Sequence, residues 1–189
     1  MVEDNAAVVR KNDRRSIILI MSDPRYPVGT VTFTPFVNES ERQTAIGEIR
    51  DLPKQLKAAL DTLGEANLDS PYRHGGWTIR QLVHHIADSH MNAFIRFRLA
   101  LTEEKPTIKP YDEHAWSLLP DSALPIEPSL AIIENVHLRL TVLLELTPTA
   151  DFSRELIHPV SGPMSLDKLL HLYAWHGRHH VAHITKAPR

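Results

Sequence analysis

Four histidines lie within eight residues near the C-terminus, in the segment Trp175-His176-Gly177-Arg178-His179-His180-Val181-Ala182-His183. His176 and His180 are four residues apart, so on an α-helix their side chains lie on one face. Two imidazoles with Cβ atoms about 6 Å apart can bind one Zn²⁺ ion. A third imidazole from another helix would leave a coordination position open for water or a substrate. The segment therefore predicts two ligands of a reactive metal site.

The helical phase of this segment separates its histidines. At 100° per residue, His176 and His180 fall within about 20° of Leu169 and continue its apolar stripe. His183 lies close to the stripe and His179 toward its edge, which predicts supporting or incidental roles for both. Two ordinary core histidines bonded to carbonyl or carboxylate groups are the alternative to metal binding. Because buried imidazoles without partners are costly and the i, i+4 spacing is typical of zinc ligands, we favour the metal site.

A second group of histidines, His84, His85 and His90, lies about ninety residues upstream on another predicted helix. Relative to Ile79, His84 and His85 fall on opposite flanks of the apolar stripe, and His90 falls inside it. Periodicity alone therefore leaves the third ligand open among these three residues.

A polar ridge begins at His85 and continues at helical spacing through Ser89, Asn92 and Arg96. It could be the wall of a pocket, in which Asn92 and Arg96 hold an anionic group of a substrate. The planar guanidinium of Arg96 suits carboxylate or phosphate. The alternative is an ordinary solvated helix edge, and the residues alone do not distinguish the two.

Four segments carry the 3.6-residue periodicity of amphipathic helices, and they span residues 40–63, 78–101, 128–146 and 165–184. Thr78 and Gln81 fit a capping box, and Pro53 is expected to kink or split the first helix. A long crossover, residues 106–125, joins helices two and three, and residues 152–164 could form a small hairpin before helix four. The pattern predicts an all-α four-helix bundle, a fold whose core commonly holds metal sites.

Composition narrows the function further. The chain has 189 residues, a net charge of −2 and no cysteine, which predicts one domain over residues 21–189 and argues against nucleic-acid binding and cysteine chemistry. Residues 1–20 are expected to form a disordered extension. No apolar run is long enough to span a membrane, so we expect a cytoplasmic protein. The HExxH motif of zinc proteases is absent, as are GxSxG and Walker A.

Several segments resemble the DinB/YfiT-like family, and in particular its YfiT branch. The longest is Gly75-Gly76-Trp77-Thr78-Ile79-Arg80-Gln81-Leu82-Val83-His84-His85-Ile86-Ala87-Asp88-Ser89-His90-Met91-Asn92. Shorter matches are Tyr26-Pro27-Val28-Gly29, Pro110-Tyr111-Asp112-Glu113, Ala115-Trp116-Ser117 and the C-terminal histidine segment. The resemblance covers roughly residues 26–185.

The resemblance implies a four-helix bundle with one Zn²⁺ or Ni²⁺ ion per subunit, bound by His85, His176 and His180. It also implies a cytoplasmic homodimer. The branch is described as metal-dependent hydrolases related to bacillithiol S-transferases. It names no substrate.

Three functions follow as hypotheses. The first is a hydrolase in which the metal activates water for attack on a small-molecule substrate. The second is a metal-dependent transferase of a low-molecular-weight thiol, and the third is a non-catalytic metal-binding stress protein. Asn92 and Arg96 are the candidate substrate-binding residues, and Asp112 and Trp116 could close over the mouth of the site.

Overall fold

The computed structural model describes residues 23–32, 36 and 38–188. The predicted extension of residues 1–20 lies outside these described residues. In chain order the helices are α1 (Glu39–Leu63), α2 (Ile79–Thr102), the short α3 (Glu113–Ser117), α4 (Glu127–Leu146) and α5 (Leu166–Thr185). A hairpin of β1 (Glu155–His158) and β2 (Gly162–Ser165) precedes α5. The predicted four-helix bundle with a hairpin before its last helix is confirmed.

Side chains cap α2 and α5, the two helices that carry the converging histidines. Thr78 and Gln81 form the predicted capping box at the start of α2, with each side chain bonded to the other residue's backbone. The Ser165 hydroxyl accepts a hydrogen bond from the Lys168 backbone N–H and so caps α5. These bonds satisfy backbone donors that a helix leaves unpaired at its first turn, and they fix the starts of the two histidine-bearing helices.

Pro53 was expected to kink or split α1, and it does not split the helix, which runs unbroken from Glu39 to Leu63. Proline lacks the N–H that would bond to the carbonyl four residues earlier, which here is that of Ile49. The Ile49 carbonyl instead accepts a hydrogen bond from Nδ1 of His137 on α4, at 2.5 Å. The lost bond is therefore replaced from a neighbouring helix.

The crossover between α2 and α4 is held against the hairpin. The Ile108 N–H donates to the Ile157 carbonyl at 3.0 Å, and the Ile157 N–H donates to the Pro106 carbonyl at 2.9 Å. The crossover also contains α3 and a 3₁₀ turn (Pro120–Ala123), neither of which the sequence analysis predicted. The Asp112 side chain caps α3 by accepting from the Ala115 N–H.

Two apolar clusters form the core, one toward each end of the bundle. One is built around Phe97, Leu140 and Leu166, and the other around Leu56, Leu82, Ile86 and Ile133. On α2 the second cluster ends at Ala87 and the first begins at Ala93. On α5 the first cluster ends at Ala174 and the second begins at Ile184. His90 on α2 and the C-terminal histidines of α5 lie at this intermediate level, whereas His85 lies beside the second cluster, between Val83 and Ile86. Within the described part of the chain, no helix combines the length and apolar composition needed to cross a bilayer.

Candidate metal centre

Three imidazole rings converge where α2 faces α5. His85 Nε2 lies 3.3 Å from His176 Nε2, and His180 Nε2 lies 3.1 Å from the same atom. Nitrogens bound at 2.0–2.1 Å to a tetrahedral ion are about 3.3 Å apart. The ligand atoms of all three residues lie within 4.8 Å of one another. The structure thus brings together the three residues that the resemblance implies.

The packing of α5 and the loop before α2 positions these rings. Gly177, next to His176, faces α1 so closely that an added Cβ would lie 3.1 Å from both Leu52 methyl carbons. The Trp77 indole packs against the His85 ring with centroids 4.9 Å apart. His85 and His180 are buried, and His176 is partly exposed. Trp77 therefore packs on the His85 ring, and the close approach of α5 to α1 sets the position of the helix that carries His176 and His180.

Burial keeps the three imidazoles neutral. It lowers the pKa of His85 to about 4. Burial also holds the pKa values of His176 and His180 well below their ordinary range, and repulsion from neighbouring histidines adds to the effect. Because only a neutral imidazole binds a metal ion, these residues are in their metal-binding form at pH 7.

The other ring nitrogens of the two α5 residues have partners. His176 Nδ1 lies 3.0 Å from His90 Nε2, and His180 Nδ1 lies 3.4 Å from His183 Nδ1. His183 Nε2 in turn donates to the Pro24 carbonyl at 3.2 Å. Hydrogen bonds to the non-ligating nitrogen commonly fix the tautomer of metal-binding histidines. Both α5 residues therefore direct Nε2 toward the convergence point.

A second histidine group overlaps the first: His179, His180 and His183 also place ligand atoms within 4.8 Å of one another. The two groups share His180, and a neutral imidazole has one lone pair for a metal. His180 can therefore bind an ion through Nε2 or through Nδ1, but not through both. The bond between His180 Nδ1 and His183 favours the group that contains His85.

A cleft of about 800 Å³ opens over the centre and is lined by all three converging histidines. Aromatic residues form much of its wall, and the charged groups on it are Arg25, Arg73 and Glu113. Arg25 is paired with Asp23. Arg73 packs over the Tyr72 ring, and its Nε is buried without a hydrogen-bond partner. Arg73 is not part of any motif in the sequence, and only the fold brings it to the cleft.

The other histidine candidates for the third ligand have different roles. His84 is bonded through Nδ1 to the Ser129 hydroxyl at 2.7 Å and through Nε2 to the Leu124 carbonyl at 3.1 Å. His90 is completely buried and contacts Nδ1 of His176, on the side of that ring away from the convergence point. Among the three candidates, the geometry therefore favours His85.

The predicted substrate-binding residues do not line this cleft. The Asn92 amide donates to the Asp88 carbonyl of its own helix at 2.8 Å. Arg96 donates to the Tyr173 hydroxyl at 3.0 Å, and Trp116 packs on Tyr111 with ring centroids 4.4 Å apart. Their roles toward a substrate stay predictions.

Comparison with known proteins identifies a family and several similar proteins. The family model described as "DinB superfamily" matches residues 48–184. A protein of Bacillus cereus (strain 03BB102) named "Putative metal-dependent hydrolase" is 51% identical over 165 residues, which cover 87% of this chain and 95% of that protein. A protein with the same description from Bacillus mycoides (strain KBAB4) is 50% identical over the same length.

Among solved structures, one matches with a TM-score of 0.83 and 44% sequence identity, covering 86% of this chain and 94% of that one. It is described as "YfiT from Bacillus subtilis is a probable metal-dependent hydrolase with an unusual four-helix bundle topology".

Proposed function

The chain belongs to the DinB superfamily, and from this membership we propose that it is a metal-dependent hydrolase with one Zn²⁺ or Ni²⁺ ion held by His85, His176 and His180. The observation that carries the proposal is the convergence of three Nε2 atoms at the base of the cleft. A neutral three-nitrogen donor set suits both ions.

The residues of the site fit the chemistry that such an ion supplies. A divalent ion with three imidazole ligands lowers the pKa of a coordinated water to about 7 and so provides hydroxide at neutral pH. Because the three histidines are neutral, they leave the full charge of the ion available to the substrate. Trp77 packs on the His85 ring and also lines the cleft, so an aromatic surface lies beside the position that a substrate would occupy.

We assign Arg73 as the candidate for anchoring an anionic group of the substrate. It lines the cleft together with the ligands, its Nη1 donates to the His74 carbonyl at 3.1 Å, and no carboxylate among the described residues forms an ion pair with it, whereas the charge of Arg25 is already paired with Asp23. A guanidinium in this position can bind carboxylate or phosphate through two parallel hydrogen bonds. A small organic anion with an apolar body would match the aromatic wall.

We also propose that the protein is a cytoplasmic homodimer with one ion per subunit, as the resemblance implies. Light scattering coupled to gel filtration would measure the mass in solution. A mass of one chain would contradict the dimer without affecting the metal site.

Metal content tests the central proposal. Protein purified without an affinity tag should contain close to one Zn or Ni per chain by mass spectrometry, and His176→Ala should lose it. His84→Gln is the matched control, because His84 is a buried histidine of α2 bonded to Ser129 and outside the cluster. Absence of metal from the wild type after reconstitution would contradict the proposal.

The reaction class needs a separate assay. We expect the metal-loaded wild type to hydrolyse members of a panel of small ester and amide anions without any added thiol, and His176→Ala to be inactive. Turnover that requires bacillithiol or glutathione would instead identify a thiol transferase. A fully metal-loaded protein with neither activity would identify a binding protein.

A further inference from the structure

A continuous chain of hydrogen-bonding groups crosses the core from α1 to the metal centre. His137 Nδ1 lies 2.5 Å from the Ile49 carbonyl oxygen, and His137 Nε2 lies 2.9 Å from His90 Nδ1. His90 Nε2 lies 3.0 Å from His176 Nδ1. Each of the four long helices contributes one group, and the last group is a ligand of the proposed metal centre.

The carbonyl at one end determines the direction of every bond in this chain. A carbonyl oxygen only accepts, so His137 carries its proton on Nδ1 and a neutral His137 accepts at Nε2. His90 must then donate from Nδ1 and accept at Nε2. His176 must in turn donate from Nδ1, which leaves the lone pair on its Nε2. That is the nitrogen that faces His85 and His180.

The Ile49 carbonyl, the first group in this series of hydrogen bonds, is available as an acceptor because of Pro53. A residue with a backbone N–H at this position would bond to the Ile49 carbonyl as part of α1. Because proline has no N–H, the carbonyl has no helical donor and is left for His137. Pro53 thus leaves the Ile49 carbonyl as a fixed hydrogen-bond acceptor within an unbroken α1.

Burial supports the neutral state on which this direction depends. His90 is 0% exposed and His137 1% exposed, and they lie between the two apolar clusters of the bundle. A charged imidazolium at this depth would have a large desolvation penalty. The rings of His90 and His137 have centroids 4.8 Å apart and planes inclined by 29°, an arrangement consistent with the hydrogen bond between their nitrogens.

We infer that His90 and His137 are positioning residues: they hold the proton on Nδ1 of His176 and so keep its Nε2 free for the metal before the metal arrives. The inference rests on the proposed function, because the metal centre is itself a proposal. Because the proton is already on Nδ1, His176 does not have to move a proton from Nε2 to Nδ1 before it binds the metal through Nε2.

The first test needs no variant. Long-range proton–nitrogen correlation spectra of metal-free wild type, labelled with ¹⁵N-histidine, distinguish the two imidazole tautomers. At pH 7.5 we expect His137, His90 and His176 each to carry the proton on Nδ1. A proton on Nε2 of His90 or His176 would overturn the inference, even if the protein binds metal.

The second test measures Zn²⁺ affinity by competition with a chelator. His90→Leu, which removes the acceptor for His176, should weaken binding about 10–100-fold, the usual effect of losing such a partner. His90→Gln, whose amide oxygen can accept from His176, should recover most of that loss. His84→Leu is the control on the same helix and should bind Zn²⁺ as the wild type does.

The outcomes separate the two proposals. An unchanged Zn²⁺ affinity in a folded His90→Leu protein would contradict the positioning role of His90 and His137, but it would not contradict the proposed metal centre. A wild-type protein that binds no metal but has the expected tautomers would contradict the proposed function and support the series of hydrogen bonds from Ile49 to His176.

Discussion

At the scale of single residues, the open question is which histidine group binds the ion. His180 belongs to both groups, so His85 and His183 distinguish them. We expect His85→Ala to remove a ligand and abolish measurable Zn²⁺ binding. His183→Ala removes only the partner of His180 Nδ1 and should cost about 10–100-fold in affinity.

The check is a chelator-competition titration of both variants beside the wild type. The reverse order of effects, with His183 essential and His85 dispensable, would place the ion in the second group. Circular dichroism of each variant establishes that the fold is retained.

At the scale of elements, the close approach of α5 to α1 sets the position of two ligands. A Cβ at Gly177 would lie 3.1 Å from two methyl carbons of Leu52, which is buried in the core. Overpacking of this kind costs about 1–3 kcal/mol, against a gain of about 1 kcal/mol in helix propensity. We expect Gly177→Ala to lower the free energy of unfolding and to weaken metal binding, because α5 must shift.

Gly47 on α1 is the matched control. An added Cβ there meets only the mobile end of Arg50, at 3.3 Å. Gly47→Ala should therefore raise the free energy of unfolding by up to about 1 kcal/mol. Denaturant titrations of the two variants measure the difference, and equal effects of both would refute the packing argument.

The elements also show what periodicity can predict. The four long helices and the inward direction of His176 and His180 follow from local 3.6-residue spacing. The third ligand does not, because its choice depends on how α2 is rotated against α5. On α4 both Val136 and His137 lie at core spacing from Ile133, and the structure buries His137 and leaves Val136 partly exposed. His137 is four residues after Ile133 and three before Leu140, so its spacing was a usable signal.

Local periodicity could not predict contacts between residues that are distant in the sequence. The sequence suggested that Pro53 kinks or splits α1; the helix is not split, and His137 bonds to the carbonyl that Pro53 leaves without a donor. That pairing joins residues 88 apart and depends on the lateral packing of α1 and α4. Arg73 likewise reaches the cleft only because its loop folds back beside α5.

At the scale of the whole molecule, the ion should stabilise the folded protein against heat. The centre joins α2 to α5, so binding stabilises the native state alone. With free Zn²⁺ at 1,000 times its dissociation constant, the expected gain is about 4 kcal/mol. For a chain of this size the melting temperature should rise by roughly 8–16 °C. Differential scanning calorimetry with and without a chelator measures this rise, which should be absent in His176→Ala.

The buried histidines also predict how the metal-free protein responds to acid. Burial lowers the pKa of His85 and His179 to about 4 and lowers that of His137, whereas an unfolded chain has histidine pKa values near 6.5. Below about pH 6.5 the unfolded state therefore binds more protons than the native state, and stability falls as the pH falls.

Each such group lowers the free energy of unfolding by up to about 1.4 kcal/mol per pH unit, until the pH reaches its native pKa. For His85 and His179 this loss extends from about pH 6.5 to about pH 4. We expect the urea midpoint of metal-free protein to change little between pH 8 and pH 7 and to fall steeply between pH 6.5 and pH 5. His137→Leu removes one of these groups, so its midpoint should fall less steeply over the same interval. A wild-type midpoint independent of pH over that interval would mean that the histidines are not held neutral in the native core.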